Sequence, residues 1–476
     1  MVVSAACGSA GRRVSDPGRS GAGPAPAGSA ISWRSCPGHG GWQCGTLAVP
    51  LDRAQPGPTI TLALTRHPAT DRRSRIGSLL LNPGGPGVPG IGFAYDAVAG
   101  LLDPVLVRDF DVVGFDPRGV GESTPVTCTD GATLDRLNHL DPVLDTQPKL
   151  DAAIAGAKEL AADCEAMSGP LLPHLSTRDE ARDLDAIRAA LGDATLTYFG
   201  ISYGTVLGAE YASLFPTRVR ALALDGAVDP AVAPLAVDTA QAVGFEHDLN
   251  DFLAGCAAQG TACLFQAGGA PTLRAAFDAL VAGIRSRPLP GGRGRLLGPA
   301  EAVFGIAWPL YLRDTWPDLA DALAAAQRGD GGPLLTQFDG YVGRSRDGTY
   351  ANREVAGDAI GCLDQAAPTV AAMQAAEPAL AAAAPYFGPA IAYQDLVCAS
   401  WPVKATDPIA PLHTRGTPPI LVVGSTGDPA TPYAWAQGLA SELGSGVLLT
   451  RHGDGHGAYE ASACARAEID RYLTAF

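Results

Sequence analysis

Eight short apolar runs set the strongest limit on what this chain can fold into. They lie at 46–51, 59–65, 77–81, 110–115, 195–199, 219–224, 419–423 and 447–450. A strand with one face in water alternates apolar and polar residues. Several of these runs do not, and Leu79-Leu80-Leu81 has no polar face at all, which suits a strand covered on both sides. The first two runs are close enough to form a hairpin. From the third on, helical stretches or long insertions separate them, as parallel strands require. The expected fold class is therefore α/β, with a mostly parallel eight-stranded sheet. The segment 177–191 reads as a helix covering that sheet. Thr177 and Glu180 have capping-box spacing, and Ala181, Leu184, Ile187 and Leu191 share one face.

The 476 residues are 47% hydrophobic, enough for a large core. Residues 1–30, rich in Gly, Ala, Ser and Pro, are expected to be disordered. Residues 31–228 hold six of the runs and form the first part of the core. Residues 229–412 are Ala-rich and helical in period, with Pro and Gly breaks, and read as an inserted helical cap. Strand signals resume only at Pro419, so 413–476 is the second part of the core. No run of 18 apolar residues exists, so no transmembrane segment is expected. The net charge of −15 excludes the basic footprint that nucleic-acid binding needs.

Ten Cys are many for a cytosolic enzyme. Cys36 with Cys44, Cys128 with Cys164, Cys256 with Cys263 and Cys362 with Cys398 are plausible local pairs. With no CxxC, a disulfide framework outside the cytosol is the expected use. Cys7 and Cys464 are left over. Val2-Val3-Ser4-Ala5-Ala6-Cys7 resembles the tail of a lipoprotein signal, which makes Cys7 a candidate lipid anchor. An upstream start would supply the missing apolar stretch.

Gly200-Ile201-Ser202-Tyr203-Gly204 fits G-x-S-x-G. In a chain with 58 Gly the pattern alone carries little, but here a strand precedes it and a helix pattern follows. That is the setting of a nucleophile elbow, with Ser202 at the carboxyl edge of the sheet. A serine hydroxyl needs a base and an orienting acid. His456, in Gly455-His456-Gly457, follows the last strand, and Asp428, in Gly427-Asp428-Pro429, follows the one before. The order Ser202, Asp428, His456 is that of α/β-hydrolases. His452 is a rival base and Asp454 a rival acid. His452, Asp454 and His456 as a metal site lack further ligands, and neither metal nor cofactor is expected. Asn82-Pro83-Gly84-Gly85-Pro86-Gly87 follows the third strand. The Gly85 N–H and the N–H of Tyr203 are the expected oxyanion hole. Asp116 and Arg118 follow a strand end and read as an ion pair that shapes their loop.

Together these residues resemble the peptidase branch of the α/β-hydrolases, the prolyl iminopeptidase clan. The likeness is greatest to the secreted tripeptidyl aminopeptidases of actinobacteria and their mycobacterial cell-envelope relatives. It runs from about Trp33 to Tyr472. It rests on 44–51, Gly84-Gly85-Pro86-Gly87, 116–123, Gly200-Ile201-Ser202-Tyr203-Gly204-Thr205, 359–364, 427–432 and 455–457. The resemblance implies the α/β-hydrolase fold, export, and Ser202, Asp428 and His456 as the triad. Two departures stand out. Pro83 replaces the His that often precedes Gly-Gly-Pro-Gly, as in the tripeptidyl branch. Relatives often extend beyond Phe476 with a last Cys, which would leave Cys464 without its partner.

The expected reaction is acyl transfer from a peptide with a free N-terminus, whose α-ammonium a cap carboxylate would hold. Asp364, Glu354 and Glu246 are the candidates. The alternatives are an esterase or small-molecule hydrolase with the same triad, and a non-catalytic envelope protein that keeps the fold for binding.

Overall fold

The runs with no polar face lie where protein covers both of their sides. The computed structural model describes residues 31–475. Its strands are β1 (Arg34–Ser35), β2 (Gln43–Pro50), β3 (Thr59–His67), β4 (Gly77–Asn82), β5 (Phe110–Phe115), β6 (Leu196–Ile201), β7 (Val219–Asp225), β8 (Leu289–Gly292), β9 (Arg295–Leu297), β10 (Ile420–Gly427) and β11 (Gly446–Asp454). Nine form one sheet in the order β1-β2-β3-β5-β4-β6-β7-β10-β11. From β5 to β11 every neighbour is parallel, while β1, β2 and β3 join antiparallel. All six residues of β4 and of β5 are buried. Leu80, Val113, Tyr198, Leu222 and Val422 pack into the core on one face. Leu79, Leu81, Val112, Phe199, Ala223 and Val423 pack into the core on the other. The period of two survives inside each run, hidden because both faces are dry.

All eight expected runs are strands of this sheet, and the first two pair as a hairpin from Gln43↔Arg66 to Pro50↔Thr59. The sheet has a ninth strand, β1, whose two exposed residues give no period to read. The β8–β9 hairpin, which turns at Arg293-Gly294, was also unmarked. The chain between β7 and β10 is otherwise helical; one part forms a separate core around Phe245, Leu249, Ile306, Leu323 and Phe338, and Val355, Ile360, Leu363 and Trp401 join the core on one face of the sheet.

The helix Thr177–Leu191 is capped by Ser176, one residue before Thr177, through Asp179 N–H at 3.2 Å. Asp116 and Arg118 do not pair with each other. Asp116 accepts from Ile91 and Glu122 N–H groups at 3.0 and 2.9 Å. Arg118, with no exposed surface, forks onto Asp183 at 2.7 and 2.8 Å and donates to His174 O at 2.6 Å. The four local cysteine pairs are disulfides. Cys464 is disulfide-bonded too, so the expectation that it lacks a partner is corrected. The Cys7 anchor and the 1–30 segment lie outside the described residues. No helix among the described residues is long and apolar enough to cross a membrane.

A buried carboxylate stripped of its cation is costly. Arg118→Leu should therefore lower stability by about 3 kcal/mol, read as a reduced urea midpoint. An unchanged midpoint would mean that Arg53, which also pairs with Asp183, compensates in full.

Candidate active site

β6 ends in a turn that only a particular local sequence tolerates. Ser202 has φ 57° and ψ −127°, a conformation that costs a non-glycine residue about 1–3 kcal/mol. Its neighbours are small because there is no space. A Cβ on Gly200 would lie 2.5 Å from the Tyr198 ring, and one on Gly204 would lie 2.8 Å from Asn82 O. A Cβ on Gly84 would reach Ile201 O at 2.5 Å. The helix Tyr203–Leu214 starts at once, so the Tyr203 N–H has no carbonyl one turn earlier in the helix to bond. Ser202 N–H donates to Asp225 O at 2.9 Å, and Thr205 N–H and Oγ1 donate to Ser202 O at 2.9 and 2.6 Å. The oxyanion-loop candidate Gly85 follows Gly84 at φ 108°.

The expected acid and base meet. His456 Nδ1 lies 2.9 and 3.0 Å from the two oxygens of Asp428. The Asp428 carboxylate also accepts from Ala430 N–H, Thr431 N–H, Thr431 Oγ1 and Gly457 N–H at 2.8–3.0 Å. Every lone pair is used, so the carboxylate cannot turn away from the imidazole. With Nδ1 as donor, Nε2 carries the free lone pair that a base requires. His452 is exposed within β11, and Asp454 pairs with Arg313. Neither rival takes part in the Asp428–His456 pair.

Asp225, the last residue of β7, went unread in the sequence. Its buried carboxylate accepts from Ala458 N–H at 2.9 and 3.0 Å and from Tyr459 N–H at 2.8 Å. One residue thus holds Ser202 by its carbonyl and the His456 loop by its side chain. A Cβ on the next residue, Gly226, would lie 3.1 Å from the His456 ring. The signal was present: an acid ending an apolar strand next to Gly. Burial opposes the charged imidazolium of His456. The Asp428 charge and hydrogen bond, with Asp225 behind, outweigh that and raise its pKa above 6.5.

The three amine-binding candidates fall apart in space. Asp364 gives both oxygens to Thr177, at 2.9 Å from its N–H and 2.5 Å from its hydroxyl, beneath the elbow. Burial pushes its carboxyl up to about 7. Glu246 pairs with Arg274 at 2.6 Å and caps Tyr386 N–H at 2.8 Å. Glu354 alone stands beside the oxyanion loop. It accepts from the Asn138 amide at 3.2 Å, on a helix whose Gly357 packs against Pro86 O. No group of three or more His, Cys, Asp or Glu among the described residues could hold a metal ion.

Asp225→Asn removes one negative charge behind the imidazole. The His456 pKa measured by NMR should start above 6.5 and fall in the variant, because the imidazolium loses a stabilising charge. An unmoved titration would show that the ring does not sense Asp225.

Comparison with known proteins gives the family. The model described as alpha/beta hydrolase fold matches residues 77–267, and that described as TAP-like protein matches residues 384–475. The serine protease Hip1 of Mycobacterium tuberculosis is 38% identical over 474 residues, 94% of this chain and 89% of that protein. Carboxylesterase B of the same species is 38% identical over 442 residues, 90% and 84% of the two chains. The tripeptidyl aminopeptidase of Streptomyces coelicolor is 33% identical over 459 residues, 93% and 83%. The chain belongs to the α/β-hydrolase family, in its TAP-like branch, and is a serine hydrolase.

Proposed function

We propose that this protein is a serine exopeptidase that releases short peptides from substrates with a free N-terminus. The observation that carries the reading is the Asp428–His456 pair, held on a loop that Asp225 ties to the strand end beside Ser202. Likeness to a serine protease and a tripeptidyl aminopeptidase over most of the chain supports peptides as substrate.

In this reading His456 Nε2 takes the Ser202 proton as Oγ attacks the scissile carbonyl. The carbonyl π electrons move to oxygen, and the oxyanion rests on the Gly85 and Tyr203 N–H groups, each such donor worth about 10²–10³ in rate. His456, held by Asp428, then protonates the leaving amine, and the C–N bond breaks to give an acyl-enzyme. Water repeats the sequence and frees Ser202. The helical segment 229–412 serves as a cap between the core parts 31–228 and 413–476. Four disulfides among the described residues fit an oxidising compartment outside the cytosol. A second reading, an esterase, has support in the 38% identity to carboxylesterase B.

Chromophore release from free-amine tripeptide, single-residue and N-acetylated tripeptide anilides, with a short-chain ester alongside, separates the two. The free-amine tripeptide should be cleaved well above the others. Ser202→Ala should lose that activity by about 10³-fold or more together with fluorophosphonate labelling. Ester cleavage without anilide cleavage would overturn the peptidase reading and leave the triad intact.

A further inference from the structure

Three helices bring polar side chains to one buried point beneath the nucleophile elbow. Tyr203, the residue after Ser202, opens the helix Tyr203–Leu214, and its phenol is buried. The phenol oxygen lies 3.1 Å from Glu180 Oε2 and is hydrogen-bonded to the Thr177 hydroxyl. Thr177 and Glu180 are on the helix Thr177–Leu191, and Asp364 ends the helix Arg353–Asp364. Asp364 Oδ2 lies 2.5 Å from Thr177 Oγ1, and its Oδ1 accepts from Thr177 N–H at 2.9 Å. Asp364, Thr177, Tyr203 and Glu180 thus form one continuous line of side chains, none more than 8% exposed.

The line has more contacts than hydroxyl hydrogens. Three side-chain contacts join the four groups, and a carboxylate can only accept. With both acids ionised, the Thr177 hydrogen would go to Asp364 and the Tyr203 hydrogen to Glu180. The two hydroxyl oxygens would then face each other with no hydrogen between them. The third hydrogen must come from an acid, and Glu180 is the one with less support as an anion. Its Oε1 is buried with no partner. Arg118 is close enough to act on it, but uses all five N–H donors elsewhere, on Asp183 and on the carbonyls of Pro50, Leu51 and His174. Asp364 keeps the N–H and the hydroxyl of Thr177. Arg178, the cation nearest to it, pairs with Asp407 and Glu210 instead. The remaining titratable neighbours of Glu180, Asp183 and Tyr198, bring no positive charge. Burial, and then the Asp364 charge, accordingly push the Glu180 carboxyl well above its usual range.

Both donors of the oxyanion hole adjoin this line. A Cβ on Gly84 would lie 3.0 Å from the Tyr203 nitrogen, so the oxyanion loop and the elbow touch there. Gly357, on the helix that ends in Asp364, packs on Pro86 O of the same loop at a would-be Cβ distance of 2.8 Å. We propose that Glu180 carries the proton that completes a one-way hydrogen-bond chain, from Glu180 through Tyr203 and Thr177 to Asp364, and that this chain positions the Tyr203 N–H for the oxyanion. The inference rests on the reading of Tyr203 as an oxyanion donor and adds what holds it in place. Glu180, Thr177 and Asp364 act through Tyr203, so they are positioning residues. A donor helps only when it aims at the place where the oxyanion forms, and small displacements cost rate steeply. Removing the Glu180 proton sets a second negative charge beside Asp364 in an interior that does not screen it. The neutral acid is the competent form. Activity is therefore complete below the raised Glu180 pKa and falls as pH rises through it.

The test compares Tyr203→Phe, Glu180→Ala, Glu180→Gln and Ser202→Ala with the full-length parent. It reads the rate of fluorophosphonate labelling, which needs no knowledge of the natural substrate, and kcat and KM per labelled site on the ester or anilide that the parent cleaves. Tyr203→Phe and Glu180→Ala should lose about 10-fold in kcat and in labelling rate, with KM little changed. Glutamine has the shape of the neutral acid and can donate to the phenol oxygen, so Glu180→Gln should stay near the parental level. The infrared carbonyl stretch of a neutral carboxylic acid should be present in the parent and reduced in Glu180→Gln. Parental kcat per labelled site in Tyr203→Phe and Glu180→Ala, even with fewer sites labelled, would show a structural role only and overturn the proposal. So would equal losses in Glu180→Gln and Glu180→Ala, or an infrared band that Glu180→Gln leaves unchanged. Labelling that persists in Ser202→Ala would remove the reading of the elbow, and this inference with it.

Discussion

The structure turns on the end of β7. There the main chain of Asp225 takes the Ser202 N–H at 2.9 Å, and its carboxylate takes the Ala458 and Tyr459 N–H groups. Burying a carboxylate costs several kcal/mol unless it is satisfied. Here it is satisfied only while the loop after β11 keeps its place. Ser202 sits at φ 57°, a geometry that relaxes unless its surroundings over-determine it. Asp225 does both jobs at once, so the strained turn and the histidine loop stand or fall together.

Helices between β7 and β10 touch the loops that carry His456, Asp428 and Gly85. His456 N–H donates to Tyr311 O at 2.6 Å, and the Tyr311 ring meets the His456 imidazole edge-on at 5.6 Å. Gln241 holds the acid loop, and Gly357 seats the oxyanion loop. The sheet ends thus hold Ser202, Asp428 and His456, and helices between β7 and β10 touch the loops around them. One part of the helical insertion has a core of its own, while Val355, Ala359, Ile360, Leu363, Trp401 and Leu412 join the core on one face of the sheet.

Much of this was legible in the sequence, for a physical reason. β4 and β5, buried on both faces, read as apolar runs, while β2 alternates with one exposed face; both patterns could be seen, and a parallel sheet leaves its functional loops at predictable strand ends. Ser202, Asp428 and His456 each follow a strand by a few residues, and the structure brings the last two within hydrogen-bonding distance. The rest depends on which side chain meets which across long separations. Asp364 had the right charge in the right helix, but it faces Thr177, 187 residues away. Arg118 was read against its neighbour Asp116, yet the fork that fits its guanidinium is Asp183.

The chain pairs several of its buried carboxylates with the cations it has. Its cations are nearly all Arg, with only Lys149, Lys158 and Lys404 as exceptions. A planar guanidinium satisfies a carboxylate with two parallel bonds, as Arg118 does for Asp183 and Arg344 for Asp135. In a molecule with a net charge of −15, negative charge at the surface costs little, because water and salt screen it. Negative charge in the interior is not screened. Asp183 meets that cost with the Arg118 fork, and Asp225 and Asp428 meet it with backbone N–H groups.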